Sequence, residues 1–183
     1  MKRVILMTLA LFVQAAANDV FAGGLLLRLG PEELVQAAGG DIAVFGYSVP
    51  SFVDWDNDGD NDLVIGEGSS SYPNAKVRVY LNAGTASNPQ FSGFTYVQSN
   101  GSDLTCPGSG CLGCFPRVVY WDGDPNKDLL VGQADGKVKV FLNIGTDEIP
   151  TFDAGTFLQV GPPGSKANIG VGARATPSAV DWN

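Results

Sequence analysis

The sequence predicts an all-β fold, and three observations carry that prediction. Val, Thr, Phe and Tyr occur in short runs separated by turn residues, glycine supplies 24 of 183 residues, and a pattern of about 60 residues occurs twice and begins a third time. β-branched and aromatic residues suit a pleated, half-buried surface, and frequent glycine suits the turns between short strands.

The repeat sets the organisation of the chain. "PSFVDWDNDGDNDLVIG" from Pro50, "PRVVYWDGDPNKDLLVG" from Pro116 and "PSAVDWN" from Pro177 align and make Trp55, Trp121 and Trp182 equivalent. Downstream, "KVRVYLNAGTASNPQF" from Lys76 answers "KVKVFLNIGTDEIPTF" from Lys137. The two periods, 66 and 61 residues, differ only in the turn from Gly66 to Lys76. Strands are expected near 50 to 55, 63 to 66, 76 to 81 and 93 to 98. Four strands in ~60 residues suit one blade of a β-propeller with a turn between its first and second strands. In the third strand, period-two geometry points Val77, Val79 and Leu81 to one side and Lys76, Arg78 and Tyr80 to a solvated other side; Val138, Val140 and Leu142 repeat the pattern. The domain reading is a partial first unit over 23–49, whole repeats over 50–115 and 116–176, and the start of a third over 177–183. A propeller closes with roughly 4 to 8 blades, so the chain is expected to be the N-terminal part of a longer protein.

The first 22 residues have a different logic. Lys2 and Arg3 precede an apolar run from Val4 to Val13 and then small residues ending at Ala22. That layout is a secretory signal peptide, cleaved after Ala22 or alternatively after Ala17. The apolar run is about half of the roughly 20 residues a membrane helix needs, so no membrane span is expected, and the mature protein should be secreted or held at the cell surface or in the periplasm. Its removal takes away Lys2, Arg3 and Asp19 and moves the formal charge from −8 to −9. An acidic chain with few basic clusters argues against nucleic acid. Histidine is absent, which excludes Ser-His-Asp and Cys-His catalysis and imidazole metal ligands.

What remains is carboxylate chemistry, concentrated in "DWDNDGDNDL". With Asp54 as position 1, Asp56, Asp58 and Asp62 stand at 3, 5 and 9, Gly59 at 6 and Asp60 at 7. Side-chain oxygens at 1, 3, 5 and 9 with a backbone carbonyl at 7 can wrap one calcium ion, and Gly59 permits the sharp turn. An EF-hand starts the same way but needs a bidentate glutamate at position 12, where this chain has Ile65, and helices in place of the strand-like flanks. A solvated acidic turn would set five carboxylates against one another without a cation.

The unit D-x-D-x-D-G-x-x-D-L between short strands, followed by LNxGTxxxPxF, resembles the FG-GAP/VCBS repeat family, which includes the integrin alpha-chain propeller. "FGYSVP" from Phe45 resembles half of that family's name motif. The resemblance implies a propeller, with Asp54, Asp56, Asp58 and Asp62 binding calcium through side chains and Asp60 through its carbonyl. The chain departs from the family pattern in lacking its Gly-Ala-Pro ending, having "VIGEG" there instead. In the second loop Tyr120 occupies position 1 and Pro125 replaces the glycine, leaving Asp122, Asp124, Asn126 and Asp128. Proline cannot take a positive φ, so a weak or empty second site is expected. The third loop supplies Asp181 and Asn183.

Cys106, Cys111 and Cys114 lie between the two repeats and predict a local disulfide, of Cys106 with either Cys111 or Cys114. The tryptophans are read as packing between units rather than as sugar platforms. The functional expectation is a non-enzymatic, calcium-stabilised module that binds an extracellular protein or glycan, with no catalytic residue assigned. The alternative is a propeller part of an extracellular polysaccharide lyase or hydrolase.

Overall fold

A computed structural model describes residues 31–70 and 75–180, with the backbone of 2–3 and 5–6. The leader's cleavage points, most of its apolar run, and Asp181 and Asn183 of the third loop lie outside the described residues. Among the described residues there are strands and turns and no helix, so the all-β expectation holds.

Two antiparallel sheets dominate. The first, of five strands, is built by β1 (Val49–Val53), β2 (Asp62–Gly66), β3 (Ala75–Tyr80) and β4 (Thr95–Tyr96), hydrogen-bonded in chain order, with the short strand Thr105–Cys106 paired to the Ala75–Lys76 end of β3. The second is built by β5 (Phe115–Val119), β6 (Asp128–Gly132), β7 (Val138–Phe141) and β8 (Thr156–Phe157), in the same order. Their registers match: Val53 faces Asp62 as Val119 faces Asp128, and Leu63 faces Tyr80 as Leu129 faces Phe141.

The second strand of each sheet is buried at every position, so it reads as an unbroken apolar run and not as an alternation. One face of the first sheet, with Val64, Val77 and Val79, packs against Leu129, Val131, Phe141 and Phe152 of the second. Trp55 joins this core, its ring 5.9 Å from that of Phe152, which agrees with the packing role read from the sequence. The opposite face of the first sheet, with Leu63, Ile65, Tyr80 and Phe91, is covered by Ile42 and Val44.

Three short hairpins flank the sheets at matching places: Gln36–Ala37 with Gly40–Asp41, Gln98–Ser99 with Ser102–Asp103, and Gln159–Val160 with Ala167–Asn168. Each carries one side-chain tie, from the Nε2 of Gln36, Gln98 or Gln159 to Asp41, Asp103 or Asn168. The first docks on the first sheet by a parallel bridge from Ala37 to Phe91, and the second on the second sheet from Ser99 to Phe152. The turn residues Ala38 and Asn100 have φ of 49° and 50°, followed by glycines at 78° and 76°, the left-handed pair a two-residue hairpin demands.

Glycine also sets how consecutive units meet. A Cβ at Gly66 would lie 2.0 Å from the Cys114 carbonyl oxygen, and one at Gly132 would lie 1.9 Å from that of Ala175. Cys114 and Ala175 each stand two residues before the proline that starts the next copy of the pattern, Pro116 and Pro177.

The structure corrects the reading of the third strand. Tyr80 is buried and Leu81 exposed, because β3 ends at Tyr80 and Leu81 lies beyond it. Nor is the basic face simply solvated: Arg78 forms an ion pair at 2.7 Å with the buried Glu67, and Lys76 pairs with Asp103 at 2.7 Å. The disulfide joins Cys106 to Cys114 and leaves Cys111 as the thiol.

Candidate metal centre

The first aspartate loop fills the gap between β1 and β2. Asp54 organises its start by accepting the Asp58 N–H at Oδ1 (3.1 Å) and the Gly59 N–H at Oδ2 (3.0 Å). Asp58 Oδ1 then accepts the Asp60 N–H at 2.8 Å. Asn57 and Gly59 take φ of 62° and 96°, and these two left-handed residues curl the chain. Only Gly59 was expected to do so. Space does not select the glycine, since a Cβ there would meet nothing within 4 Å; the backbone conformation does.

The curl brings Asp54, Asp56 and Asp58 together, each offering one carboxylate oxygen within 4.8 Å of the others. At that range two unit charges repel by about 3 to 4 kcal/mol at an effective dielectric of about 20, before solvent screening. Asp56 Oδ1 is moreover buried without a hydrogen-bond partner. A buried acceptor without a donor is costly, and a cation would satisfy it. The donor set is all oxygen, the preference of calcium or magnesium and not of softer transition metals. The residues present therefore fit a hard cation.

Asp62 and Asp60 stand outside this trio. Asp62 is fully buried and accepts two backbone N–H groups at 2.7 Å, that of Trp55 at Oδ2 and that of Asn82 at Oδ1. It thereby ties the end of β1 to the segment after β3. Burial pushes its carboxyl above the ordinary range, and the charges of Asp56 and Asp58 push the same way, against the pull of the two N–H groups. An ionised carboxylate has about four lone-pair sites, so this clamp leaves Asp62 capacity for a further partner. Asp60 is half-buried, with its N–H held by Asp58.

The second loop reuses the clamp but not the start. Asp128 accepts the Trp121 N–H (2.7 Å) and the Asn143 N–H (2.8 Å), as Asp62 does with Trp55 and Asn82. Position 1 is Tyr120, 60% exposed; of the two N–H groups that Asp54 holds, the counterpart on Asp124 donates instead to Asp122 Oδ1 at 3.2 Å, and the counterpart of Gly59 is Pro125, which has none. Only position 4 is left-handed, at Gly123 with φ of 86°. Asp122, Asp124 and Asp128 still offer oxygens within 4.8 Å of one another. Asn126 instead uses its N–H and side-chain amide to hold Asp124, at 2.8 and 3.0 Å. Beside the clamp, Lys127 is buried and ion-paired with Asp147; the equivalent positions of the first unit are Asn61 and Ala86.

Sequence reasoning gave no role to Asn82 and Asn143, although both stand in the repeated LNxGT motif. Each is buried and turns its side-chain oxygen to two backbone N–H groups, Gly84 and Gln90 in one case and Gly145 and Thr151 in the other. They hold the long turn that follows β3 or β7. Glu148, on the second of these turns, reaches the first aspartate loop. Hydrogen bonds from its own N–H, the Thr146 hydroxyl and the Asn57 amide hold its carboxyl below the ordinary value.

No family model, curated protein or solved structure matches the chain.

Proposed function

We propose that the first aspartate loop is a structural calcium site in an exported β-propeller module of the FG-GAP/VCBS kind, which binds an extracellular protein or glycan and does no chemistry. The observation that supports this most is the trio Asp54, Asp56 and Asp58, held close with the orphaned Asp56 Oδ1 among them. Calcium when bound supplies positive charge and 6 to 8 oxygen-coordination positions. Asp54, Asp56 and Asp58 would hold it, with Asp62 and the Asp60 carbonyl completing the set that the family resemblance implies. Asp54 orients the loop backbone, and Asp62 fixes the loop's far end to Asn82. The same reading makes the two sheets two blades and gives the ion the task of fixing the connection between a blade's first two strands.

The testing experiment is a thermal melt with calcium and with chelator. A ligand at about 100 times its Kd adds about 2.7 kcal/mol, which for a chain of this size is a midpoint shift of about 5 to 10 °C. The double variant Asp56→Ala/Asp58→Ala should lose that shift. An unchanged midpoint of the parent protein across saturating calcium would overturn the reading.

A further inference from the structure

We infer that Glu148 of the second unit is a positioning residue for the metal site of the first, so that an ion bound in the first aspartate loop braces the unit that follows. The inference rests on the calcium reading of that loop.

The turns after β3 and β7 are two copies of one scaffold. In each, the side-chain amide of the anchoring asparagine, Asn82 or Asn143, donates to a threonine carbonyl, that of Thr85 at 3.5 Å or of Thr146 at 3.0 Å. The threonine hydroxyl accepts the N–H three residues on, from Asn88 at 3.1 Å or Ile149 at 3.2 Å. Between these supports the first copy carries Ala86 and Ser87, and the second carries Asp147 and Glu148. The scaffold needs neither carboxylate, since the first copy stands without them.

The two carboxylates bond instead to two different aspartate loops. Asp147 accepts the Lys127 N–H at 2.7 Å and pairs with its ammonium, which fixes the turn to the second loop. Glu148 crosses the joint where Trp55 packs on Phe152 and accepts the side-chain amide of Asn57 in the first loop. Asn57 stands between Asp56 and Asp58 and has one of the two left-handed conformations that curl that loop. The repulsion among Asp54, Asp56 and Asp58 favours uncurling, and a hydrogen bond onto Asn57 from the neighbouring unit opposes it. A loop held in its bound shape before the ion arrives has less ordering left to do and binds more tightly. By reciprocity, the bound ion strengthens the loop's hold on the turn, and through Asp147 and Lys127 on the second unit.

Calcium calorimetry and amide hydrogen exchange on the full chain test this. Glu148→Ala should weaken calcium binding by about 2- to 10-fold, the worth of one net hydrogen bond. Glu148→Gln keeps an acceptor for the Asn57 amide and should recover most of that loss. Asn57→Gly removes the bond from the other side while glycine keeps the left-handed backbone, and in that background Glu148→Ala should change nothing further. Calcium should slow exchange at the Gly145 and Thr151 amides, which Asn143 holds, in the parent chain and not in Glu148→Ala. Equal affinity of the parent and Glu148→Ala, an equal loss in Glu148→Gln, additive losses with Asn57→Gly, or calcium protection of Gly145 and Thr151 that survives Glu148→Ala would each overturn the inference and leave the calcium reading standing. A parent chain that binds no calcium would overturn both.

Discussion

The two aspartate loops close the same corner of the same sheet with different supports. Both end on a buried aspartate that holds a tryptophan N–H and an asparagine N–H. The first then gathers three carboxylates and leaves one oxygen unpartnered, whereas the second replaces the leading aspartate by Tyr120 and places a buried Lys127–Asp147 pair next to the clamp. The clamp and the counter-charge are therefore separable. The first fixes strand geometry in both units; the second is brought by the chain itself in one unit and, on the proposed reading, by a metal in the other.

The largest expected effect breaks the second support. Asp147→Ala leaves the Lys127 ammonium buried without its partner, and losing one member of such a pair costs about 3 to 5 kcal/mol. Asn61→Ala, at the matching place of the first unit, should stay within about 0.5 kcal/mol because Asn61 is exposed. Urea unfolding of the two variants reads the contrast directly, and equal losses would erase it.

Next comes the division of the calcium response. The shift of about 5 to 10 °C expected above should survive Asp122→Ala/Asp124→Ala almost whole while Asp56→Ala/Asp58→Ala removes it. Tyr120→Asp/Pro125→Gly restores the missing first carboxylate and the flexible sixth position to the second loop. Calorimetric stoichiometry should then rise from one calcium to two; a stoichiometry that stays at one would show that Lys127 and Asn126 also oppose binding.

Smaller again is Gly59→Ala. A left-handed residue costs an L side chain about 1 to 2 kcal/mol, and no neighbour adds to it here. Stability should fall by that amount, measured in chelator so that backbone strain and metal affinity stay apart.

The smallest effect is a pH slope. The Asp62 carboxyl titrates above its ordinary value in the folded protein because of burial and of Asp56 and Asp58, so the folded state holds that proton more tightly than the unfolded chain does. In chelator its contribution to stability is full below the unfolded pKa of about 3.9 and is lost as pH rises through the folded value, at up to about 1.4 kcal/mol per pH unit. Asp56→Asn should flatten this slope in urea midpoints taken from about pH 4 to pH 6, and an unaltered slope would remove Asp56 from the account.

Much of the sheet core was legible, because a buried second strand flanked by alternating strands leaves a strong apolar pattern at Leu63 to Ile65 and Leu129 to Val131. The aspartate trio was legible too, since spacing alone places Asp54, Asp56 and Asp58 on one curl. The clamp was not. Nothing in the spacing gives Asp62 a second role until its distances to the Trp55 and Asn82 N–H groups are known, and Asn82 lies 20 residues away in sequence. The three hairpins were hidden for a different reason: strands of two residues carry no periodicity, and only their Gln-to-Asp/Asn ties and left-handed turns betray them. The fate of Tyr80 and Leu81 turned on where β3 stops, a boundary that an alternating pattern does not mark.

Gly66 and Gly132 carry a consequence for the order in which the protein is made. Each is the seat for a carbonyl belonging to the lead-in of the next unit, so that joint can close only after both the sheet and the lead-in that follows it have been made. Synthesis runs from the N-terminus, and segments generally fold as they emerge. The joints can therefore be closed one after another as the chain leaves the ribosome, and a bulkier residue at either seat would clash with the arriving carbonyl and prise that one joint open.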